Sequence, residues 1–330
     1  MAADWLLPER TETAEGRARR VGIEIELAGI DVGELAELSA ATLGGTLERV
    51  SSVEFDIAVP DFGDFRVEVD FKLLKDLARS REERIDTDEQ SLVDYAVDLL
   101  GDASTVLVPC EIVTPPLPMD EMAGPMDDLV EKLRAAGAKG TRQSVLYAFG
   151  VHLNVEPPDL EAATVLNYLK AFVCLYDWIV EAGEVDPSRQ LSPYIRRYDK
   201  DYELLLADPE YTPDWPQLID DYLEHNPTRD RALDMLPMFA EIDEPRVKAV
   251  VDDPLIKARP AFHYRLANSC IDEADWSIAL PWNRWMRIER LAADADALNA
   301  CLLAFAADRA RVLRGLDKRW SEDVKEWLLD

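Results

Sequence analysis

Two glutamates stand two residues apart within an otherwise apolar segment, Val21–Leu27. Successive side chains of a β-strand point to opposite faces, so Glu24 and Glu26 share one face and the aliphatic side chains share the other. The two carboxylates then lie about 6.6 Å apart along the strand, from a rise of about 3.3 Å per residue. At an effective dielectric constant of about 20 their repulsion is about 2.5 kcal/mol, and a bound cation reverses its sign. This spacing indicates a metal-binding strand.

The same alternation of apolar and polar residues recurs in three further segments of the chain. The intervening polar positions carry carboxylate, imidazole, amide or guanidinium groups: Arg66, Glu68 and Asp70 in the first segment, His152, Asn154 and Glu156 in the second, His263 and Arg265 in the third. The chain has only three histidines, and two of them fall on these polar faces. We therefore expect strands that are distant in sequence to contribute these groups to one shared surface.

A solvated sheet face is the alternative explanation, because an antiparallel sheet commonly has one side in water and charged side chains are expected there. Gly22, Gly150 and the Pro115-Pro116 pair favour a site over this alternative. Glycine in a strand marks a close approach of another group, and proline ends the pairing of a strand.

The ligand types indicate the metal. Carboxylate oxygens with few imidazoles suit a hard cation, Mg²⁺ or Mn²⁺, better than Zn²⁺. Because Mg²⁺ is commonly shared with substrate phosphates, ATP is the natural partner. The chain has neither a Walker-type phosphate loop nor a Gly-x-Gly-x-x-Gly motif, so arginines must assist in holding the phosphates. The candidates are Arg259, Arg265, Arg189, Arg196 and Arg197.

Composition and charge exclude several classes of protein. The 330 residues include 66 acidic and 36 basic ones, a formal net charge of -30, which repels nucleic-acid phosphates and anionic lipid. No Gly-x-Ser-x-Gly motif and no Cys-x-x-Cys pair is present. The apolar stretch near the start is too short for a signal-peptide core, so we expect a cytoplasmic protein without membrane segments.

The pattern of elements predicts an α+β fold with a mainly antiparallel sheet, because the strands do not alternate regularly with helices. The predicted strands are Val21–Leu27, Thr46–Val50, Val53–Val59, Asp64–Leu73, Val106–Val113, Gln143–Val155 and Ala261–Ala267. The predicted helices are Val32–Thr42, Glu89–Leu100, Asp127–Ala136, Pro281–Ala292, Asp294–Leu313 and Ser321–Leu328. One more helix is predicted to follow a cap at Pro157-Pro158-Asp159 and to run to about Glu181. The helix that ends near Glu181 is apolar nearly all round, which places it in the core.

Five segments, taken in order, resemble the amidoligases of the glutamine synthetase-like carboxylate–amine ligase superfamily. They are Gly22–Glu26, Glu111–Leu117, Gly150–Asn154, Arg259–Arg265 and Trp282–Trp285. The resemblance implies a curved sheet forming a half-funnel around ATP and Mg²⁺, packed by helices. It covers residues 20–292, which we expect to form the catalytic domain, with C-terminal helices at 293–330 packed on it. Residues 1–19 are polar, so we expect an irregular segment there.

The resemblance further implies a set of metal ligands. Glu24 and Glu26 correspond to the Glu-x-Glu strand of the superfamily, and Glu111 to a further ligand. His152 is expected to contact a metal ion or a nucleotide phosphate. His263 stands where a glutamate ligand is usual, so it either substitutes for that ligand or marks the loss of one ion.

The chemistry implied by the resemblance is the ligation of an acid to an amine through an acyl phosphate. Arg265 would stabilise the transferring phosphoryl group, with Arg259 also binding the cofactor, and Asp70 would steer the amine and accept its proton. The substrates would be a small-molecule or peptide carboxylate and an amine, with a homo-oligomer compatible with the family. A metal-dependent hydrolase using the same acidic site and a non-catalytic binding protein are the alternatives.

Overall fold

The strands that carry the candidate site lie in one sheet. The computed structural model describes residues 4–70, 108–143, 148–191, 193–310 and 319–328. Within them the strands are β1 Arg20–Leu27, β2 Thr46–Arg49, β3 Glu54–Val59, β4 Gly63–Val69, β5 Cys110–Val113, β6 Leu117–Pro118, β7 Gly150–Val155, β8 Leu233–Asp234 and β9 Phe262–Asn268. The helices are α1 Val32–Leu43, α2 Ala123–Ala135, α3 Ala162–Ala182, α4 Pro187–Leu191, α5 Lys200–Ala207, α6 Trp215–His225, α7 Leu236–Lys248, α8 Ala279–Ala293, α9 Ala295–Ala310 and α10 Trp320–Asp323.

The sheet has the strand order β2-β3-β4-β5-β1-β7-β9-β8, and β6 pairs with the start of β1. All pairings between these strands are antiparallel. The α+β prediction with a mainly antiparallel sheet is confirmed. β1 lies at the centre, between β5 and β7, which gives Glu24 and Glu26 neighbours on both sides.

The apolar face of the sheet packs against helices. Val21, Ile23, Ile25 and Leu27 are fully buried, as the alternation in β1 predicts. On β9, the ring of Phe262 contacts Tyr168 of α3 and Trp285 of α8. The centroid of the Phe262 ring lies 4.7 Å from that of Tyr168 and 5.4 Å from that of Trp285. The polar face is thereby left for the candidate site.

The long helix α3 is the core helix that its sequence predicts. By length and composition it could also cross a membrane, and it is the one such helix among the described residues. Its central residues are buried on all sides, and it packs against α8, α9 and α10. It begins at Ala162, shortly after the predicted cap at Pro157-Pro158-Asp159, because the backbone is still extended at the preceding residue, Glu161.

The N-terminal segment is held against α8. Arg19 is fully buried and forms an ion pair with Glu289 of α8. Further along the segment, the backbone N–H of Leu6 donates to Asn283 and its carbonyl accepts from Trp282, at 2.9 and 2.6 Å. These contacts fix the start of β1 relative to α8.

Several element boundaries differ from the sequence predictions. The predicted strand Gln143–Val155 begins only at Gly150, and Thr141–Gln143 is a 3₁₀ turn. Ahead of Gly150, Arg189 donates to the carbonyl of Ala148, so this backbone pairs with a side chain rather than with a strand. The predicted helix Glu89–Leu100 lies outside the described residues.

Candidate metal centre

Five strands bring carboxylates and imidazoles together on the polar face. Glu24 of β1 lies opposite His152 of β7, and Glu26 of β1 lies opposite Glu111 of β5. Glu111 also lies opposite Glu68 of β4. His263 of β9 lies opposite Asn154 of β7, which is two residues along the strand from His152. Residues directly opposite in an antiparallel pair have Cβ atoms about 5 Å apart, so the strand register places these groups in contact range.

Glu24, His152 and His263, hereafter the imidazole group, can offer three ligand atoms within 4.8 Å of one another. The Oε2 atom of Glu24 lies 2.7 Å from Nδ1 of His152 and 3.8 Å from Nε2 of His263. The two rings meet edge to face with centroids 5.4 Å apart. The other oxygen of Glu24 accepts a hydrogen bond of 2.9 Å from Asn154. One carboxylate oxygen therefore faces both imidazoles.

Glu26, Glu68, Asp70 and Glu111, hereafter the acidic group, lie beside the imidazole group. Oε2 of Glu26 accepts a 2.6 Å hydrogen bond from the backbone N–H of Gly150, and Oε1 lies 3.4 Å from Nε2 of His152. Asp70 is buried and close enough for its charge to act on Glu26 and Glu111. The only cation beside Glu26 among the described ion pairs, apart from His152, is Arg189 at 3.9 Å.

The surroundings lower the pKa of the Glu24 carboxyl and raise the pKa values of carboxyls in the acidic group. Burial opposes ionisation of Glu24, but His152 and His263 outweigh it and hold the pKa of this carboxyl well below its usual range. Burial, together with the negative charges of Asp70 and its neighbours, raises the pKa of Glu111 well above its usual range. Burial also raises the pKa values of Glu26 and Glu68. Because the carboxylates of the acidic group repel one another when they are charged, a bound cation would stabilise their charged forms.

Burial lowers the pKa of the His152 imidazole, which favours the neutral form that ligates metal ions. His263 is 3% exposed, and among the described residues neither of its ring nitrogens has a hydrogen-bond partner. A buried polar group without a partner is uncommon in folded proteins. The imidazole is therefore free to ligate an ion.

The arginines divide into those near the site and those elsewhere. Arg259 donates two hydrogen bonds, of 2.7 and 3.1 Å, to Oδ1 of Asn154, which itself donates to Glu24. Arg265 is buried on the polar face of β9 and donates to the carbonyl of Arg229 at 3.0 Å. Arg197 instead forms ion pairs with Asp177 and with a second acid of the helical layer, so those carboxylates occupy its guanidinium and the prediction that it binds phosphate is not supported.

Arg189 is a further guanidinium of the site. Its Nη2 atom donates to the backbone carbonyl of Arg265 at 2.7 Å, and burial lowers its pKa to about 10. Nη1 and Nη2 each donate to a backbone carbonyl, those of Ala148 and Arg265, so Arg189 braces β9 and the segment before β7. This role differs from the phosphate contact that the sequence suggests.

A cavity of about 570 Å³ opens at the Glu24 end of the polar face. Its lining residues are Arg17, Arg20, Gly22, Glu24, Val113, Thr114, Pro116, Asn154, Glu156, Arg259, Pro260 and Ala261. Three of these are arginines, and one of them, Arg17, is paired with Glu156 at 2.6 Å. The cavity therefore combines cations with one side of the imidazole group.

The residues that the sequence assigns to metal binding or catalysis lie in or beside this centre, unlike Arg197, and some contributors escape prediction. Asp234 of β8 is fully buried, with Oδ2 3.5 Å from Nδ1 of His263. Its strand has only two residues, too short to show any alternation. Arg17 and Arg20 lie in or beside the segment that the sequence marks as irregular. The Glu-x-Glu spacing gave no indication that Asn154 links Arg259 to Glu24.

Comparison with known proteins places the chain in a family. No curated protein and no solved structure matches the chain significantly. Residues 17–287 match the model of the family described as "Putative amidoligase enzyme". This match covers the described strands and all the residues of both groups, so the chain belongs to that amidoligase family.

Proposed function

We propose that this protein is an ATP- and Mg²⁺-dependent carboxylate–amine ligase that forms an amide through an acyl phosphate. Family membership supports an amide-bond ligase acting on a carboxylate and an amine. The observation that carries the finer proposal is the convergence of Glu24, Glu26, Glu111 and two imidazoles on one face of the sheet. Such crowding of carboxylates is stabilised when cations bind.

The residues present fit divalent cations. The acidic group offers only oxygen ligands, as Mg²⁺ requires. Burial and the neighbouring carboxylates raise the pKa of Glu111, so a cation bound there would favour its charged form. The imidazole group adds a carboxylate and a buried imidazole without a partner among the described residues. When bound, such ions neutralise phosphate oxygens and the charge that develops during phosphoryl transfer.

The arginine-lined cavity is suited to the nucleotide. Its volume of about 570 Å³ falls within the range of small-molecule sites, about 300–1,000 Å³. Arg259 and Arg20 line the cavity next to Glu24, and guanidinium groups bind phosphate oxygens with paired hydrogen bonds. Phosphates entering from this side would reach the imidazole group first.

The chemical steps then follow along the face of the sheet. An oxygen of the substrate carboxylate attacks the γ-phosphorus and ADP leaves; the amine nitrogen next attacks the acyl carbon and phosphate leaves. Arg265 stabilises the charge on the transferring phosphoryl group. Asp70, beside Glu26 and Glu111, attracts the incoming ammonium and accepts a proton before attack.

The test is nucleotide turnover with defined partners. Purified protein, supplied with mixtures of acids and amines, should release ADP and phosphate only when acid, amine and Mg²⁺ are all present. Glu26→Gln should reduce that rate by at least a hundredfold, whereas Glu48→Gln, on the exposed strand β2, should retain it. Unchanged turnover in Glu26→Gln would contradict the assignment.

Binding measurements separate the alternatives. Calorimetry with a non-hydrolysable ATP analogue should show binding that requires Mg²⁺. Hydrolysis of amides without nucleotide, and no analogue binding, would indicate a metal-dependent hydrolase. If Mg²⁺ with nucleotide leaves the melting temperature unchanged, the native state binds neither, and a non-catalytic protein is indicated.

A further inference from the structure

The two groups of the centre offer different ligand atoms. The acidic group presents only carboxylate oxygens, from Glu26, Glu68, Asp70 and Glu111. The imidazole group presents one carboxylate and two imidazole rings. Carboxylate oxygens suit Mg²⁺, whereas imidazole nitrogens suit Zn²⁺ and Fe²⁺, and one carboxylate with two histidines is a ligand set of both. The neighbouring groups therefore differ in metal preference.

The geometry of the imidazole group fits a small ion with nitrogen ligands. Ligand atoms about 2.1 Å from an ion lie about 3.0–3.5 Å apart in octahedral or tetrahedral arrangements. The Oε2 atom of Glu24 is 2.7 Å from a nitrogen of His152 and 3.8 Å from one of His263. These separations bracket the required values, and all three ligand atoms lie within 4.8 Å of one another. An ion bound here would replace the hydrogen bond between Nδ1 of His152 and Glu24.

A buried carboxylate faces the second imidazole. Asp234 lies opposite His263 in the pairing of β8 with β9, and its Oδ2 is 3.5 Å from Nδ1 of the ring. Its Oδ1 accepts a 3.0 Å hydrogen bond from the backbone N–H of Leu236, which fixes the carboxylate. With Nδ1 turned to Asp234, Nε2 faces Glu24. Carboxylate–histidine–metal arrangements of this kind set the tautomer of the ligand and increase its basicity.

We infer that the imidazole group binds a transition-metal ion of the Zn²⁺ or Fe²⁺ class in preference to Mg²⁺, with Asp234 as the residue that positions His263. Among the described residues, neither ring nitrogen of the buried His263 has a hydrogen-bond partner. Asp234 faces Nδ1, and a metal ion bound at Nε2 would give the other nitrogen a partner. Asp234 also returns to this position the negative charge that a glutamate ligand would carry. The inference shares the metal centre of the proposed ligase but requires no ligase activity.

The first experiment measures metal binding to the full chain, stripped of metal. Co²⁺, a spectroscopic substitute for Zn²⁺, is titrated with and without a hundredfold excess of Mg²⁺ and followed by its visible absorption. One equivalent should bind with nitrogen coordination and resist Mg²⁺. His263→Gln should weaken Co²⁺ binding at least tenfold, and His263→Glu should allow Mg²⁺ to displace it. His225→Gln, a histidine of α6 that contacts Asp199, is the matched control and should behave as wild type.

The second experiment tests the positioning residue. Asp234→Asn keeps an oxygen to accept from Leu236 but removes the charge facing His263. We expect circular dichroism to be unchanged and Co²⁺ affinity to fall 10- to 100-fold, the range found for such outer partners. Unchanged affinity would overturn the role of Asp234.

The outcomes also separate this inference from the proposed function. If Mg²⁺ displaces Co²⁺ from wild type, or His263→Gln binds Co²⁺ as tightly as wild type, the metal preference is wrong even if acid- and amine-dependent ADP release is observed. A protein that binds one Mg²⁺-resistant Co²⁺ through His263, yet never turns over ATP, supports the metal preference and contradicts the ligase.

Discussion

Glu24 shows how single residues connect the parts of the centre. One of its carboxylate oxygens faces His152 and His263, and the other accepts a hydrogen bond from Asn154. The amide oxygen of Asn154 then accepts from Arg259. The imidazoles on one side of Glu24 are thus connected to an arginine of the cavity through the single amide of Asn154.

Asn154→Ala tests this connection. The substitution removes the two hydrogen bonds from Arg259 to Asn154 and the one from Asn154 to Glu24. Arg259 keeps its hydrogen bond of 3.2 Å to the carbonyl of Lys257 but is held less firmly towards the cavity. We expect affinity for an ATP analogue with Mg²⁺ to fall about tenfold, or about 1.4 kcal/mol, as measured by calorimetry. Asn167→Ala, in a different cavity beside α3, serves as the control. Equal affinities in the two variants would show that Arg259 does not contact the nucleotide.

At the scale of elements, strand alternation could be predicted from the sequence but strand neighbours could not. The faces of β1, β4, β7 and β9 follow from a local period of two residues, which is why the polar groups were identified. Pairing depends on contacts between distant segments, so the meeting of Glu68 with Glu111 required the structure. Asp234 was missed for a different reason: its two-residue strand is too short to show any alternation.

Gly150 shows how one residue determines the fit between elements. A Cβ atom at this position would lie 2.7 Å from Cζ of Arg189, whose guanidinium joins Ala148 to Arg265 through their carbonyls. Arg189 is 3% exposed and has little room to move. Glycine is therefore required where β7 begins, beside the hydrogen bond from its N–H to Glu26.

Gly150→Ala should destabilise the protein by about 1–3 kcal/mol, the usual cost of adding a methyl group to a packed interior, as measured by urea unfolding. Gly124→Ala is the control, because a Cβ there meets no atom within 4 Å; in helix α2 it should raise stability by up to about 1 kcal/mol. If Gly150→Ala proves as stable as Gly124→Ala, Arg189 moves away from the added methyl group without cost.

For the whole molecule, the ion pair of Arg19 with Glu289 links the start of the central strand β1 to helix α8. Both side chains are buried, and Arg19 also donates to the carbonyls of Arg10 and Glu156. Arg19→Met leaves Glu289 as a buried charge without this partner, which should cost about 3–5 kcal/mol. The double variant Arg19→Met with Glu289→Gln should recover part of that loss in thermal unfolding. No recovery in the double variant would show that the packing of Arg19, rather than its charge, is important.

The balance of charge in the centre should also appear in the pH dependence of stability. Glu26, Glu68 and Glu111 have pKa values raised by burial, so above the ordinary carboxyl pKa the folded state binds more protons than the unfolded state. The contribution of these groups to stability is therefore full below their ordinary pKa and is lost as pH rises through the raised values. His152, whose pKa burial lowers, contributes a slope of the opposite sign, so the comparison must be made between variants.

In metal-free protein, Glu111→Gln should be more stable than wild type at pH 7, by on the order of 1 kcal/mol. This difference should shrink towards pH 5 as the wild-type carboxyl becomes protonated, and Glu48→Gln should show no such trend. Adding Mg²⁺ at pH 7 should stabilise wild type more than Glu111→Gln, because the cation relieves the repulsion that the substitution removes. If Glu111→Gln is less stable than wild type without metal, the protein itself already balances the negative charge of the acidic group. The electrostatic argument for a cation at that group would then fail.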